Sequence, residues 1–177
     1  MAYITSGCIG VDVDSTSAGT TTDGANAQFT LGQTETGPDG TKYMYVQAAE
    51  EISTATTTPY FLAIDENFQA SKITKALASA GYFLGVAPAL VIADNAFFWA
   101  RMTGSNFNCK VAVSCAADTA LWTTATAGVL DDTSGGSHVR VNNVVIVTAA
   151  STSASAGSTV REAVISGGGM FNPGLIA

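Results

Sequence analysis

The stretch "SCAADTALWTTATAGVLDDTS", residues 114–134, carries the pattern on which the fold prediction rests. It is typical of a β-hairpin: "ALWTT" forms one short strand, "ATAG" turns the chain and "GVLDD" runs back. Gly128 is predicted in the turn because glycine adopts positive φ without a steric penalty. Asp118 is expected in an earlier turn. Three residues are expected to supply the buried contacts: Leu121, Val129 and, as a further candidate, Trp122.

Short strand patterns separated by turn residues continue through most of the chain. The run "AFFWARMTG", residues 96–104, is apolar on both faces, which predicts a strand that is covered on both sides. One helix is expected in "SKITKALASAG", with Ser71 as a possible N-cap, or in a shorter form over residues 75–80. Seven to ten short strands predict a mainly β protein. Its fold is expected to be a compact β-barrel or β-sandwich with one short helix and extended N- and C-terminal arms.

The organisation predicted is an extended N-terminal arm over residues 1–30, a β-rich core domain over 31–165 and a flexible C-terminal tail over 166–177. A strand in the arm needs a partner, and another sheet, on a neighbouring subunit for example, is one source. A floppy terminus is the alternative. The apolar residues of both arms are the candidate interface: Tyr3, Ile4, Ile9, Val11, Val13, Met170, Phe171, Leu175 and Ile176.

Composition limits the classes of function. Only 12% of the residues are charged, and seven basic against fourteen acidic residues give a net charge of −7. This balance argues against binding to nucleic acid or to an anionic membrane surface. A surface rich in Ser, Thr, Ala and Gly is typical of a protein covered by its neighbours, since a free monomer usually carries more charge. The sequence shows neither a signal-peptide pattern nor an apolar run long enough to span a bilayer.

Catalytic patterns have little support. The one histidine, His138, follows "SGGS" and is expected to be a solvated loop residue, and no G-x-S-x-G elbow accompanies it. If "NCKVAVSC" is one continuous strand, Cys109 and Cys115 lie about 20 Å apart on its apolar face. They would then be unpaired core residues. We therefore predict that the protein is not an enzyme, with a hydrolase using His138 as the weakest alternative.

Ligand sites are also weakly indicated. Asp12 and Asp14 share one face of a strand and make a calcium site conceivable, but the acidic pairs are better explained as solvated turn residues. No cofactor or metal is therefore predicted. Four aromatic residues could line a sugar-binding face, although strand aromatics are more often core residues. These are Tyr43, Tyr45, Trp99 and Trp122.

The order of these elements resembles the small β-rich head proteins of tailed bacteriophages. The resemblance covers roughly residues 31–150 and rests on "GVA" at 85–87, the strand at 99–104 and the hairpin at 121–130. It implies a capsid decoration protein, also called a cement or head-stabilising protein, which clamps major capsid protein subunits on the outside of the head. Such a protein is assembled in the host cytoplasm, becomes part of the virion and needs no catalytic residue.

The resemblance leads us to expect a structural virion protein that binds the outer capsid surface and stabilises contacts between major capsid protein subunits. The expected partners are the major capsid protein and neighbouring copies of the chain, as a dimer or trimer. The alternative is a carbohydrate-binding, head-fibre or tail-associated adhesion module of a virion.

Overall fold

The structure is a computed structural model, and it describes residues 12–19, 27–53, 59–149 and 159–165. Thirteen strands and one helix lie in these ranges. The strands are β1 Thr16–Ser17, β2 Thr34–Thr36, β3 Lys42–Ala48, β4 Phe61–Ile64, β5 Gln69–Lys72, β6 Phe83–Val86, β7 Phe97–Arg101, β8 Gly104–Val111, β9 Leu121–Thr123, β10 Leu130–Asp131, β11 Arg140–Val141, β12 Val144–Ile146 and β13 Thr159–Ile165; the helix is α1, Lys75–Ser79. The predicted mainly β fold with a barrel and one short helix is confirmed. The strand count exceeds the predicted seven to ten because several strands are only two or three residues long.

A five-stranded barrel forms the centre of the fold. Its strands follow the order β3-β5-β4-β6-β7, and pairing of β7 with β3 closes it. The β3–β5 pair is parallel and the other pairs are antiparallel. Strand β6 pairs with β7 only at Val86 and Arg101, and β1 pairs with β7 at Phe97 and Phe98. Inward-facing residues such as Val46, Leu62 and Phe98 fill the barrel.

The second sheet has the order β11-β9-β10-β8-β13-β12 and packs on the outside of the barrel. Alternate residues of a strand point to opposite faces. Leu62 and Ile64 of β4 therefore point into the barrel, while Phe61 and Ala63 contact the second sheet. The shared core between the two layers includes Phe107, Val111, Leu121 and Leu130, all of which are buried.

The hairpin of residues 121–131 has the structure that its sequence predicts. Strands β9 and β10 are antiparallel, Gly128 has a φ of 77°, and Asp118 lies in a turn with a φ of 56°. Leu121 and Val129 are buried, and Trp122 is half-buried. The tip of this hairpin also joins the two layers. The N–H of Gly128 donates to the carbonyl of Ile73, and its carbonyl accepts from the N–H of Phe61.

Two local predictions were wrong in detail. The helix begins after Thr74, whose hydroxyl accepts a hydrogen bond from the N–H of Leu77 at 3.3 Å, so Thr74 and not Ser71 is the N-cap. Ser71 lies in β5 instead, because residues 69–72 pair with both β3 and β4 and cannot also begin a helix. The helix therefore has the shorter of the two predicted forms.

The run "NCKVAVSC" is not one continuous strand. Strand β8 ends at Val111, and the chain then turns, with the N–H of Cys115 donating to the carbonyl of Ala112. Cys109 and Cys115 consequently lie in the same core cluster, and the predicted separation along a strand does not apply. Both are buried, and neither forms a disulfide, as expected.

The described part of the predicted N-terminal arm packs on its own barrel. Strand β1 pairs with β7 of the same chain, Val13 is 1% exposed, and Phe29 packs on the barrel wall. The rest of the predicted arm and the tail after residue 165 lie outside the described residues. No helix in the described ranges is long and apolar enough to cross a membrane.

Candidate functional site

An aromatic wall covers the outside of the barrel where β3 and β7 pair. We use this name for Tyr43, Tyr45, Phe97 and Trp99, which alternate with residues that face the barrel interior. The ring of Trp99 lies 5.1 Å from that of Tyr45, measured between centroids. This alternation explains why residues 43–46 and 97–100 are apolar or aromatic at every position.

The segment before β2 covers this wall. The ring of Phe29 lies 5.2 Å from that of Tyr45, edge to face, and 5.3 Å from that of Trp99. The hydroxyl groups of Ser17 and Tyr45 are 3.3 Å apart. Tyr43, Tyr45 and Trp99 are at most 3% exposed, so these three are core residues, which the sequence favoured over a sugar-binding face.

A cleft opens beside the wall, between the barrel and β8 of the second sheet. We call it the Arg101 cleft; its volume is about 230 Å³. Its lining includes Tyr43, Pro59, Pro88, Trp99, Arg101 and Phe107. Most of these residues are apolar or aromatic, while polar atoms contribute about half of the exposed surface, so the cleft offers contacts to both apolar and polar groups.

Arg101 gives the cleft a positive charge at a fixed place. Its guanidinium carbon lies 5.2 Å from the ring centroid of Phe107 and 5.7 Å from that of Tyr43. One guanidinium nitrogen donates a hydrogen bond to the Tyr43 hydroxyl at 3.4 Å. Asp14 and Asn108 also line the cleft and are exposed. The cleft can therefore hold an apolar side chain while polar groups at its edge meet a peptide backbone.

Two lysines surround Tyr60 at the junction of the layers. The Lys110 ammonium donates to the Tyr60 hydroxyl at 3.1 Å and lies 4.6 Å from the centroid of its ring. The Lys72 ammonium lies 5.7 Å from the same centroid. Two of the seven basic residues of this acidic protein are therefore close together. Both ammonium groups lie over the Tyr60 ring, whose face attracts cations.

Cys115, Asp131 and Asp132 form a cluster whose potential ligand atoms all lie within 4.8 Å of one another. The pKa of the Cys115 thiol is raised to about 11, first by burial and then by the nearby Asp132 and Asp131 carboxylates. Without a bound cation, the Cys115 thiol therefore keeps its proton at neutral pH. A carboxylate oxygen of Asp132 accepts the N–H of Ala116 at 3.1 Å, so this side chain ties the turn after β8 to β10.

Burial also raises the pKa values of Asp131 and Cys109. Desolvation, followed by the hydrogen bond and charge of Asp132, raises the pKa of Asp131 above its ordinary value. Desolvation, together with the neighbouring Cys115, raises the pKa of Cys109 strongly. Both cysteines are consequently thiols at neutral pH, which makes them poor nucleophiles.

His138 lies in the loop before β11, as its sequence predicts. Its Nδ1 is 3.4 Å from the carbonyl oxygen of Thr133, and its ring packs against Gly135. These contacts are local to the loop. Asp12 and Asp14, the conceivable calcium ligands, also make a local turn, in which the Asp12 carboxylate accepts the N–H of Asp14 at 3.0 Å.

An apolar surface lies on β12, the outermost strand of the second sheet. Val145 in β12 is 40% exposed and Val147, the residue after the strand, is 44% exposed, whereas Val144 and Ile146 face the core. The segment 142–149, "NNVVIVTA", contains no charged residue. The Ile146 carbonyl accepts the N–H of Asp118 at 3.0 Å, so the hydrogen-bonding edge of this strand is partly occupied. The side-chain face, which we call the β12 valine face, is open to solvent.

The structure locates one of the nine candidate interface residues. Val13 is buried in its own chain, against the aromatic wall. The other eight lie outside the described residues: Tyr3, Ile4, Ile9, Val11, Met170, Phe171, Leu175 and Ile176. Neither the Arg101 cleft nor the β12 valine face was predicted. Residues 144–147, "VVIV", are apolar at all four positions, so no alternation in the sequence marks which of them face solvent.

Comparison with known proteins adds no relative to these observations: no family model, curated protein or solved structure matches the chain.

Proposed function

We propose that the chain is a structural virion protein, a decoration protein that binds the outer surface of a phage capsid. There it would stabilise contacts between major capsid protein subunits, with further copies of the chain as neighbours. The proposal comes from the resemblance of residues 31–150 to small phage head proteins. It assigns the protein to the exterior of the virion.

The β12 valine face is the observation that best supports this role. Val145 and Val147 form a small apolar surface, and apolar surfaces that are larger and contiguous are typical of sites that contact another protein. Natural sheets usually protect an outer strand with charged residues, and residues 142–149 carry none. In a chain with a net charge of −7, an uncharged surface is also the place where another acidic protein can approach with the least repulsion.

The partly occupied hydrogen-bonding edge of β12 limits how a partner can bind there. Because Asp118 already occupies the Ile146 carbonyl, an added strand would lose part of its ladder. We therefore expect the partner to pack on the side chains of Val145 and Val147. Such a contact is small, and repetition over a capsid lattice would supply the affinity.

The direct test is co-sedimentation of the purified chain with mature heads that lack it. The proposal expects saturable binding at a fixed ratio to the major capsid protein. The double variant Val145→Glu and Val147→Glu should lose this binding, whereas Val91→Glu, a matched change at a position that is 49% exposed, should retain it. Absence of binding by the unaltered chain would reject the proposal, and equal loss in both variants would reject the valine face as the contact.

A further inference from the structure

The Arg101 cleft lies close to the point where the chain leaves the second sheet. Ile165, the last residue of β13, pairs with Gly104, the first residue of β8. Paired Cα atoms are about 5 Å apart. Gly104 is three residues from Arg101 in one direction and three residues from Phe107 in the other, so each is at most about 11 Å from Gly104. The residues after Ile165 therefore begin near the cleft.

The sequence after this point has a spacer followed by apolar residues. Residues 166–169 are "SGGG", and Met170 and Phe171 come next. Met170 is five residues beyond Ile165 and can lie up to about 17 Å from it. Arg101 is at most about 16 Å from Ile165, because about 5 Å separates Ile165 from Gly104 and at most about 11 Å separates Gly104 from Arg101. Met170 can therefore reach Arg101. Three consecutive glycines allow the chain to reverse direction, because glycine adopts conformations that other residues avoid.

The chemistry of the cleft suits these two residues. A cavity of about 150 Å³ accommodates a benzene molecule, so the 230 Å³ of the cleft is sufficient for a phenyl ring. Arg101 is already held against the rings of Tyr43 and Phe107, and a further ring in the cleft would meet the same cation. Residues 166–177 contain no charged side chain, so their entry would not bury a charge.

From these observations we propose that the Arg101 cleft is the binding site for Met170 and Phe171 of the same chain. A segment of the same chain is favoured over a second copy because a five-residue connection gives it a high effective concentration at the cleft. The inference is independent of the proposed capsid role. It assigns an intramolecular partner to a cleft that the fold leaves between the barrel and β8.

Cross-linking of the full-length chain tests the proposal. In a Cys8→Ser background, the double variant Ala89→Cys and Asn172→Cys places one thiol at the cleft and one beside the intact pair Met170–Phe171. Ala89 lines the cleft and is exposed. With a short bis-maleimide, the monomeric, internally linked product should form about tenfold or more faster than in the control pair Gly136→Cys and Asn172→Cys. Gly136 is exposed in the loop before β11, and an added Cβ there meets no atom within 4 Å.

Each other outcome of the cross-linking overturns the proposal. Equal rates in the two pairs, or no internally linked product, would show that residue 172 is not held at the cleft. A predominantly dimeric product would assign the segment to a second copy. Phe171→Asp added to the Ala89→Cys and Asn172→Cys pair should reduce the linking rate to that of the control.

Discussion

Gly128 and Tyr60 contact each other so closely that no side chain fits between them. A Cβ atom added to Gly128 would lie 2.5 Å from Cδ1 of the Tyr60 ring. Gly128 also has a φ of 77° and joins the hairpin tip to the barrel through hydrogen bonds with Phe61 and Ile73. The close packing of the hairpin tip on the barrel therefore requires a residue at position 128 that has no side chain and can adopt a positive φ.

Gly128→Ala should lower the free energy of unfolding by about 2–4 kcal/mol, because it adds backbone strain and a clash with a ring. Urea unfolding followed by circular dichroism measures the change. Gly136→Ala is the control, and an exposed position of this kind should change the value by less than about 0.5 kcal/mol. Similar values for both variants would show that the contact with Tyr60 does not join the layers.

Gly19 makes a second close contact, this time between the N-terminal segment and the start of β7. An added Cβ would overlap the backbone carbonyl oxygen of Asn95. Because backbone atoms cannot move aside cheaply, Gly19→Ala should displace the segment that carries Val13 from the aromatic wall. We expect the free energy of unfolding to fall by about 1–3 kcal/mol.

The displacement should also increase binding of the dye 8-anilinonaphthalene-1-sulfonate, since aromatic surface becomes exposed. Ala18→Ser, at the exposed neighbouring position, provides the control. If Gly19→Ala binds no more dye than the control, the position of the segment that carries Val13 does not depend on the contact between Gly19 and Asn95.

Asp131 should make stability depend on pH. Its pKa is raised in the folded state, mainly by burial, so the folded state binds this proton more tightly than the unfolded state. The stabilisation is complete below the ordinary aspartate pKa, near 4, and is lost as the pH rises through the folded value. Asp131→Asn removes this dependence, so the variant should gain stability relative to the parent as the pH increases from about 4 to 7. Unfolding by urea at several pH values measures the difference, and parallel curves for the two proteins would contradict the expectation.

The cysteines should be unreactive in the folded protein. Cys109 and Cys115 are buried, and the pKa of the Cys115 thiol is about 11. In a Cys8→Ser variant at pH 7.5, we therefore expect a thiol reagent to label neither cysteine before unfolding and both in urea. Rapid labelling of the native variant would show that this part of the core opens readily.

The sequence predicted the features that depend on local patterns. The hairpin around Gly128, the covered strand at 97–101 and the mainly β class all follow from turn residues and alternation of apolar residues. Ser71 was misassigned because serine is a common N-cap residue, and only the pairing of β5 with two other strands shows that Ser71 lies in a strand. The end of β8 was missed because nothing in "NCKVAVSC" marks a turn, yet Ser114 adopts a φ of 65°.

The candidate sites were harder to predict for a different reason. The Arg101 cleft combines residues from six separate parts of the chain, so its shape depends on tertiary packing. Whether Val145 faces solvent or another layer also depends on where the sheet ends. Val13 was predicted at an interface and is buried within its own chain, because the aromatic wall provides a partner that the sequence of the arm alone does not reveal.

Heat rupture of capsids tests the central claim, that the chain stabilises a phage head through its β12 valine face, most directly. Mature heads lacking the protein are incubated with the unaltered chain, with the Val145→Glu and Val147→Glu double variant, or with Val91→Glu, and DNA release is followed during heating. The unaltered chain and Val91→Glu should raise the rupture temperature, and the double variant should leave it at the value of bare heads. A rupture temperature that the unaltered chain does not change, although it binds, would contradict a stabilising role.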